Sequence, residues 1–369
     1  MKKLLSLLLA LIIIISAVGC GTSAGTDKAA ETHTVVDHDG NEVTLPLEIN
    51  RIVVCDILPL PSVLSVFFNS ADKIVGMSAT SMSAAANGLL GELYPEILNA
   101  ETGFIDGSTV NTEELLKLQP DVVFYNASSK ELGQHLRDAG FPAVAISVNK
   151  WEYNSIETLN NWISLLSEIF PDADKVEIVK NYSYDVYNMV QERVAEIPEE
   201  EREQVLFLFQ YSDTNILTSG KLFFGQWWAD AIGAKNVAEE LSTDNSVAVN
   251  MEQIYAWNPT LIFMTNFTTS GPDDLYNNTV GAYDWSAVDA VINQRVYKMP
   301  LGMYRSYTPG VDTPITLLWL AKTAYPEYFN DIDIIKETKA YYKEVFGVEL
   351  TDEQASSIFE PTAEAGSGF

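Results

Sequence analysis

The sequence predicts an α/β protein of two lobes joined by a long helical bridge. Three observations carry that prediction. The chain has 369 residues, which at roughly 100–200 residues per domain suggests about two domains. Residues 111–124 align without gaps with residues 250–263, with Asn, Glu, Pro and Phe recurring at the same four offsets. Between the two copies lies a long stretch with helical spacing of apolar residues. Chance similarity of two α/β units is the competing explanation of the repeat.

Within each copy, Asn111 or Asn250 is followed three residues later by Glu114 or Gln253, a helix start of the capping-box kind with Asn in place of Ser or Thr. The helix must stop before Pro120 or Pro259, because the residue before a proline is pushed out of the α region. A short apolar run follows in each, read as a buried parallel strand. The other elements fit the same scheme. In the first half strands are expected at 51–55, 73–76, 121–125 and 143–146, with helices near 61–68 and 129–139. In the second half strands are expected at 204–209, 260–264 and 295–299, with helices near 226–232 and 251–257. Strands separated by helices imply parallel sheets covered on both faces. Residues 155–197 contain no Gly, and Pro171 stands where a second helix would begin, so this span reads as a rigid bridge. Three further helices, at 314–324, 332–346 and 351–359, precede a small polar ending expected to fray.

The N-terminus carries a targeting pattern. Lys2 and Lys3 precede an apolar run over residues 4–18, too short for a comfortable membrane span, and the run ends in Ala17-Val18-Gly19-Cys20. Small residues before a single Cys resemble a bacterial lipobox, with Cys20 lipidated; the alternative is an ordinary cleaved signal that happens to contain the Cys. The expected organisation is a signal peptide at 1–19, a lipidated flexible tail at 20–32, a first lobe at 33–154, the bridge at 155–197, a second lobe at 198–313 and C-terminal helices and tail at 314–369. Cys55, in an apolar strand, reads as core.

Composition removes several functions. The net charge is −29, becoming −31 once Lys2 and Lys3 leave with the signal, which argues against nucleic acid as a partner. Three His and two Cys are too few for a zinc cluster, and no metal site of the protein's own is expected. The Gly-x-Ser-x-Gly match at residues 21–25 lies in the tail, without the strand and helix a nucleophile elbow needs. Phosphate-loop and His-Glu-x-x-His patterns are absent from the sequence.

Several segments resemble the class III substrate-binding proteins of bacterial ABC importers, which capture ferric siderophores, haem, cobalamin and some oxyanions. They are residues 39–46, 51–54, 111–124, 227–238, 252–263, 285–291 with 295–300, and 317–322 with 325–329. The resemblance runs along most of the chain. It implies two Rossmann-like lobes with a ligand cleft between them, no enzymatic activity and no cofactor. It also implies a monomer that delivers its ligand to an ABC permease with its ATPase. The lipid anchor places the protein on the outer face of the cytoplasmic membrane, on the periplasmic side if an outer membrane exists. The rival from another class is a lipid-anchored hydrolase.

Strand ends nominate the loops that face the cleft: 56–61, 78–84, 126–129 and 149–154 in the first lobe, and 210–214, 266–269 and 302–310 in the second. From these, Trp151, Tyr153, Tyr211, Asn126, Tyr304, Arg305 and Tyr307 are the candidate ligand-binding residues. Aromatic faces suit a planar or catecholate ligand, and a guanidinium suits an anion. Arg305 can instead pair with Asp312, and Trp151 and Tyr211 can be ordinary packing. The segment Phe223-Phe224 with Trp227-Trp228 reads as core. A ferric siderophore is the first expectation, haem (with Met303 or Tyr307 as axial ligand) or a corrinoid the second, and a molybdate-type oxyanion the third. The resemblance further points to Glu92 or Glu96 and Glu239 or Glu240 as acids that dock to permease arginines; solvated carboxylates without a partner are the alternative.

Overall fold

The computed structural model describes residues 31–173 and 175–367. The expected signal peptide, Cys20 and the tail up to residue 30 lie outside the described residues. No helix among the described residues is long and apolar enough to cross a membrane.

A hairpin of β1 (Thr32–Val36) and β2 (Glu42–Pro46) opens the described chain. Its polar alternation hid it from the sequence reading. Asp37 fixes the turn by accepting from the amides of Asp39 and Asn41, and it reaches the amide of Ala145 at 3.0 Å. Next come β3 (Ile52–Val54), α1 (Leu60–Phe68), β4 (Ile74–Gly76), α2 (Ala79–Ala86) and α3 (Leu89–Leu93). A small hairpin, β5 (Ile105–Asp106) with β6 (Thr109–Val110), leads to α4 (Thr112–Lys117), β7 (Val122–Asn126), α5 (Lys130–Asp138) and β8 (Ala143–Ile146). The main strands form a parallel sheet in the order β4-β3-β7-β8. Successive side chains enter different cores: Ile52, Val54, Phe124 and Val144 face one cluster, Val53, Cys55, Val123 and Ala143 the other. Both faces are covered, hence the continuous apolar runs.

The bridge is two helices, α6 (Ser155–Ile169) and α7 (Val176–Val194), separated by a 3₁₀ turn at Pro171–Ala173. The second helix starts five residues later than Pro171. Leu159, Trp162, Ile163 and Leu166 of α6 belong to the first-lobe core. On α7, Val179 still packs there, whereas Val186, Val190 and Val194 pack into the second lobe. Of these two helices it is α7 that makes the crossing; its 19 residues span about 28 Å.

The second lobe contains β9 (Gln204–Tyr211), β10 (Ile216–Ser219), α8 (Phe224–Ala231), β11 (Lys235–Asn236), β12 (Ser246–Val249), α9 (Met251–Trp257) and β13 (Leu261–Met264). It continues with α10 (Pro272–Tyr276), α11 (Asp289–Ile292) and β14 (Val296–Lys298). Its sheet runs β12-β10-β9-β13-β14, with β11 on β9. The expected all-parallel sheet is mixed, because the short link after Tyr211 allows only an antiparallel return into β10.

The repeat is geometric as well as textual. Asn111 accepts from the amides of Glu113 and Glu114, and Asn250 forms a full capping box with Gln253. Each helix ends before its proline, and the pre-proline residues Gln119 and Asn258 both take φ +44°.

The chain then returns to the first lobe. Helix α12 (Thr313–Ala324) carries Ile315 in the first-lobe core and Leu317, Leu320 and Ala321 in the second. Helix α13 (Ile334–Tyr341) gives way to a π turn at Tyr342–Phe346, breaking the single helix expected over 332–346. After α14 (Asp352–Ser357), Ala363–Gly366 forms a 3₁₀ turn against α2, where the sequence reading expected only a fraying tail; residues 368–369 lie outside the described residues.

Candidate functional site

The loops that follow β3 and β8 meet the second lobe, Leu58 and Val148 packing against its core. In the first lobe, Asp56 sits at the end of β3, accepts from the Asn126 amide at 2.7 Å and is bonded by the Ser129 hydroxyl. Burial pushes its carboxyl above the ordinary range. Asn126 turns its side chain onto its own loop, its oxygen accepting from the amide and hydroxyl of Ser128. The segment 78–84 is the start of α2 rather than a loop, with Ser78 as its cap.

Trp151 and Tyr153 lie on a tight turn closed by the Asn154 amide on the Trp151 carbonyl, 2.8 Å. Glu152 (φ +53°) and Tyr153 (φ +59°) both take left-handed backbone there, a primed turn made without glycine. Tyr153 reaches the second lobe: its hydroxyl donates to the Asp244 carbonyl at 2.7 Å and its ring meets Phe224 edge-on at 4.9 Å. Here a cavity of about 620 Å³ opens, walled by Trp151, Tyr153, Phe223, Trp227, Gln226 and Asp230. Phe224 and Trp228 are core, as expected, but Phe223 and Trp227 are half-buried in the cavity wall; helical phase places them one step round from their neighbours.

A second cavity, about 380 Å³, lies against Gln210, Tyr211, Ser212, Thr268, Thr269 and Ser367. Tyr211 is largely committed to its own lobe, its hydroxyl accepting from Trp285 at 3.0 Å and donating to the Val280 carbonyl at 3.1 Å. Nearby, Arg305 is fully buried, its guanidinium 5.0 Å from the Phe267 ring centroid and 5.8 Å from that of Tyr304. Its Nη2 donates to the Ser367 carbonyl at 2.9 Å, and the Ser83 hydroxyl of α2 donates to the same oxygen at 2.7 Å.

Asp312 does not take the role of a simple ion-pair partner for Arg305. It accepts from the Met303 amide at 2.8 Å and from the Tyr342 hydroxyl, and Gly302 packs so closely that a Cβ there would strike the carboxylate. Asp312 therefore shapes the turn that presents Arg305, a turn closed by the Leu301–Arg305 bridge. Burial pushes its carboxyl up to about 6. A second cation, Lys298, stands behind the Thr268–Ser270 backbone, donating to both of those carbonyls at 2.6 Å; burial pushes its amine down to about 7.

Tyr304 and Tyr307 are buried, not cleft-facing surface. Tyr307 lies among Phe207, Phe209, Phe223 and Phe224. Met303 is equally buried in the first-lobe cluster. The candidate residues thus separate: Trp151 and Tyr153 line the aromatic cavity and Tyr211 the smaller one, with Arg305 buried behind its Phe267 and Ser367 wall. Ser83, Thr268, Lys298 and Ser367 were not singled out in the sequence, since nothing marks an isolated Ser, Thr or Lys. No group of three or more His, Cys, Asp or Glu side chains able to hold a metal ion occurs among the described residues.

Of the proposed docking acids, Glu92 and Glu239 are exposed, although Glu92 accepts from Gln354 at 2.8 Å. Glu96 is half-buried and accepts from the Ala71 amide, and exposed Glu240 accepts from the Trp257 indole at 3.1 Å.

The sequence profile of the family described as periplasmic binding protein matches residues 69–301. The molybdate-binding protein MolA of Haemophilus influenzae is 26% identical over 357 residues, 92% of this chain and 98% of the relative. A periplasmic solute binding protein from Veillonella parvula superposes with a TM-score of 0.79 at 30% identity, covering 89% of this chain and 97% of that one. MolA bound to molybdate superposes with a TM-score of 0.72 at 24% identity, over 86% and 99% of the two chains.

Proposed function

This chain belongs to the periplasmic binding protein family, and on that basis we propose that it captures a small oxyanion of the molybdate class at the Arg305 end of its cleft. It is the solute-binding component of an ABC importer and works outside the cytoplasm. The observation that carries the choice of ligand is Arg305 itself, a fully buried guanidinium that already holds a carbonyl oxygen in a hydrogen bond of 2.9 Å. A buried donor fork of this kind suits an oxyanion's clustered acceptors. Lys298, behind the Thr268–Ser270 backbone, adds positive potential in its protonated form only, because burial pushes its amine down to about 7. The full-length likeness to a molybdate-binding protein supports the same reading.

The ferric siderophore expected first from the sequence rests on the other end of the cleft, where Trp151, Tyr153, Phe223 and Trp227 wall a cavity of about 620 Å³ fit for stacking on an aromatic chelate. It stands as the second reading. Haem is less well supported, because Met303 and Tyr307 are both buried in apolar clusters. Cys20 is the proposed lipid anchor, and Glu92 and Glu239 are the proposed contacts to the permease.

Thermal unfolding in molybdate, tungstate, sulfate and a ferric catecholate separates the readings. A ligand at 100 times its Kd adds about 2.7 kcal/mol to stability. Molybdate is expected to raise the unfolding temperature. A rise with the ferric catecholate alone transfers the site to the aromatic cavity.

A further inference from the structure

Residues 363–367 make contacts with both lobes. The Ser367 carbonyl receives hydrogen bonds from both lobes, from the Ser83 hydroxyl at 2.7 Å and from Arg305 Nη2 at 2.9 Å. The Ser367 hydroxyl lies 3.1 Å from that of Ser83 and also donates to the Glu364 carbonyl at 2.6 Å, which holds the 3₁₀ turn in shape. Gly366 is buried against the Thr268 backbone so closely that a Cβ would collide with the Thr268 carbonyl. Gly366 and Ser367 wall the same 380 Å³ cavity as Thr268 and Thr269.

We propose that residues 363–367 form a strap that seats the Ser367 carbonyl on Arg305, ties α2 to the second lobe, and must withdraw when an anion takes that position. The strap mimics its competitor: one acceptor oxygen is held by the guanidinium and by a hydroxyl from the opposite lobe. Its competition with molybdate rests on the function proposed above, whereas the strap's tie between the lobes does not. Because a carbonyl carries only partial charge, a full anion makes stronger hydrogen bonds to the same donors and displaces it. The tie weakens the apparent affinity, because only the fraction of molecules in which Arg305 is uncovered is competent to bind.

Two measurements on the full chain test this. The double variant Ser83→Cys with Ser367→Cys is expected to form a disulfide in mild oxidant, the single variants serving as controls, and molybdate is expected to slow its formation. Failure to cross-link overturns the strap. The second measurement compares molybdate affinity of the full chain, of Gly366→Val and of a chain ending at Pro361. Both altered forms are expected to bind about tenfold tighter, roughly the worth of the charge-assisted hydrogen bond between Arg305 and the Ser367 carbonyl that no longer competes. Unchanged or weaker binding overturns the competition. If neither form binds molybdate, the oxyanion reading falls and the cross-link alone decides the strap.

Discussion

Arg305 is fully buried, and its neighbours explain how a charged group is kept there. Two aromatic faces flank it, and a carbonyl accepts from Nη2. Replacing it by Ala removes the charge-assisted donors and is expected to weaken molybdate by more than tenfold, consistent with about 1.5–3 kcal/mol for a hydrogen bond to a charged group. Calorimetric titration of the variant measures this, and unchanged affinity removes Arg305 from the site. Asp312 sets the turn beneath it. Its carboxyl is raised to about 6 by burial, against an ordinary value near 4, so the folded chain holds that proton more tightly than the unfolded chain. Its contribution to stability is therefore present at low pH and is lost as pH rises from about 4 to about 6. Asp312→Asn is expected to lack that decline; urea unfolding of both proteins at several pH values reads the difference, and parallel profiles contradict it. Arg305 was legible in the sequence because cations are scarce in so acidic a chain. Ser83 and Ser367 were not, since only the fold brings together residues 284 positions apart.

At the scale of elements, the internal repeat was the most informative feature of the sequence. It located α4 with β7 and α9 with β13, and both Asn residues cap their helices. The pre-proline position could not be read so fully: Gln119 and Asn258 share a left-handed φ of +44°, which Asn tolerates better than Gln. Gln119→Gly is expected to be neutral or to stabilise by up to about 1 kcal/mol, and Gln119→Val to destabilise. Chemical denaturation checks both, and a strongly destabilising Gly contradicts the strain argument. The buried strands were legible because both sheet faces are covered. The β1–β2 hairpin was not, because its polar alternation resembles loop composition. Within the bridge, periodicity marked helix throughout but carried no information about which partner each face would find; α6 proved to be first-lobe core.

For the whole molecule, the sequence indicated two lobes and a cleft, and the fold supplied what composition cannot: α7 and α12 both run between the lobes, and the last described residues tie them again. The average field of a chain at −29 repels an anion, so capture depends on local potential, and Arg305 and Lys298 both stand close to the smaller cavity. The aromatic cavity at the other end lacks that concentration of positive charge, with Asp230 and Asp244 in its wall beside Lys221. The most direct test is competitive loading. Purified protein is incubated with equal concentrations of molybdate, sulfate, phosphate and a ferric catecholate, freed of unbound solute, and analysed for its elements. About one molybdenum per chain, without iron, is the predicted result. Iron with its organic chelator and no molybdenum would contradict the assignment of the Arg305 site.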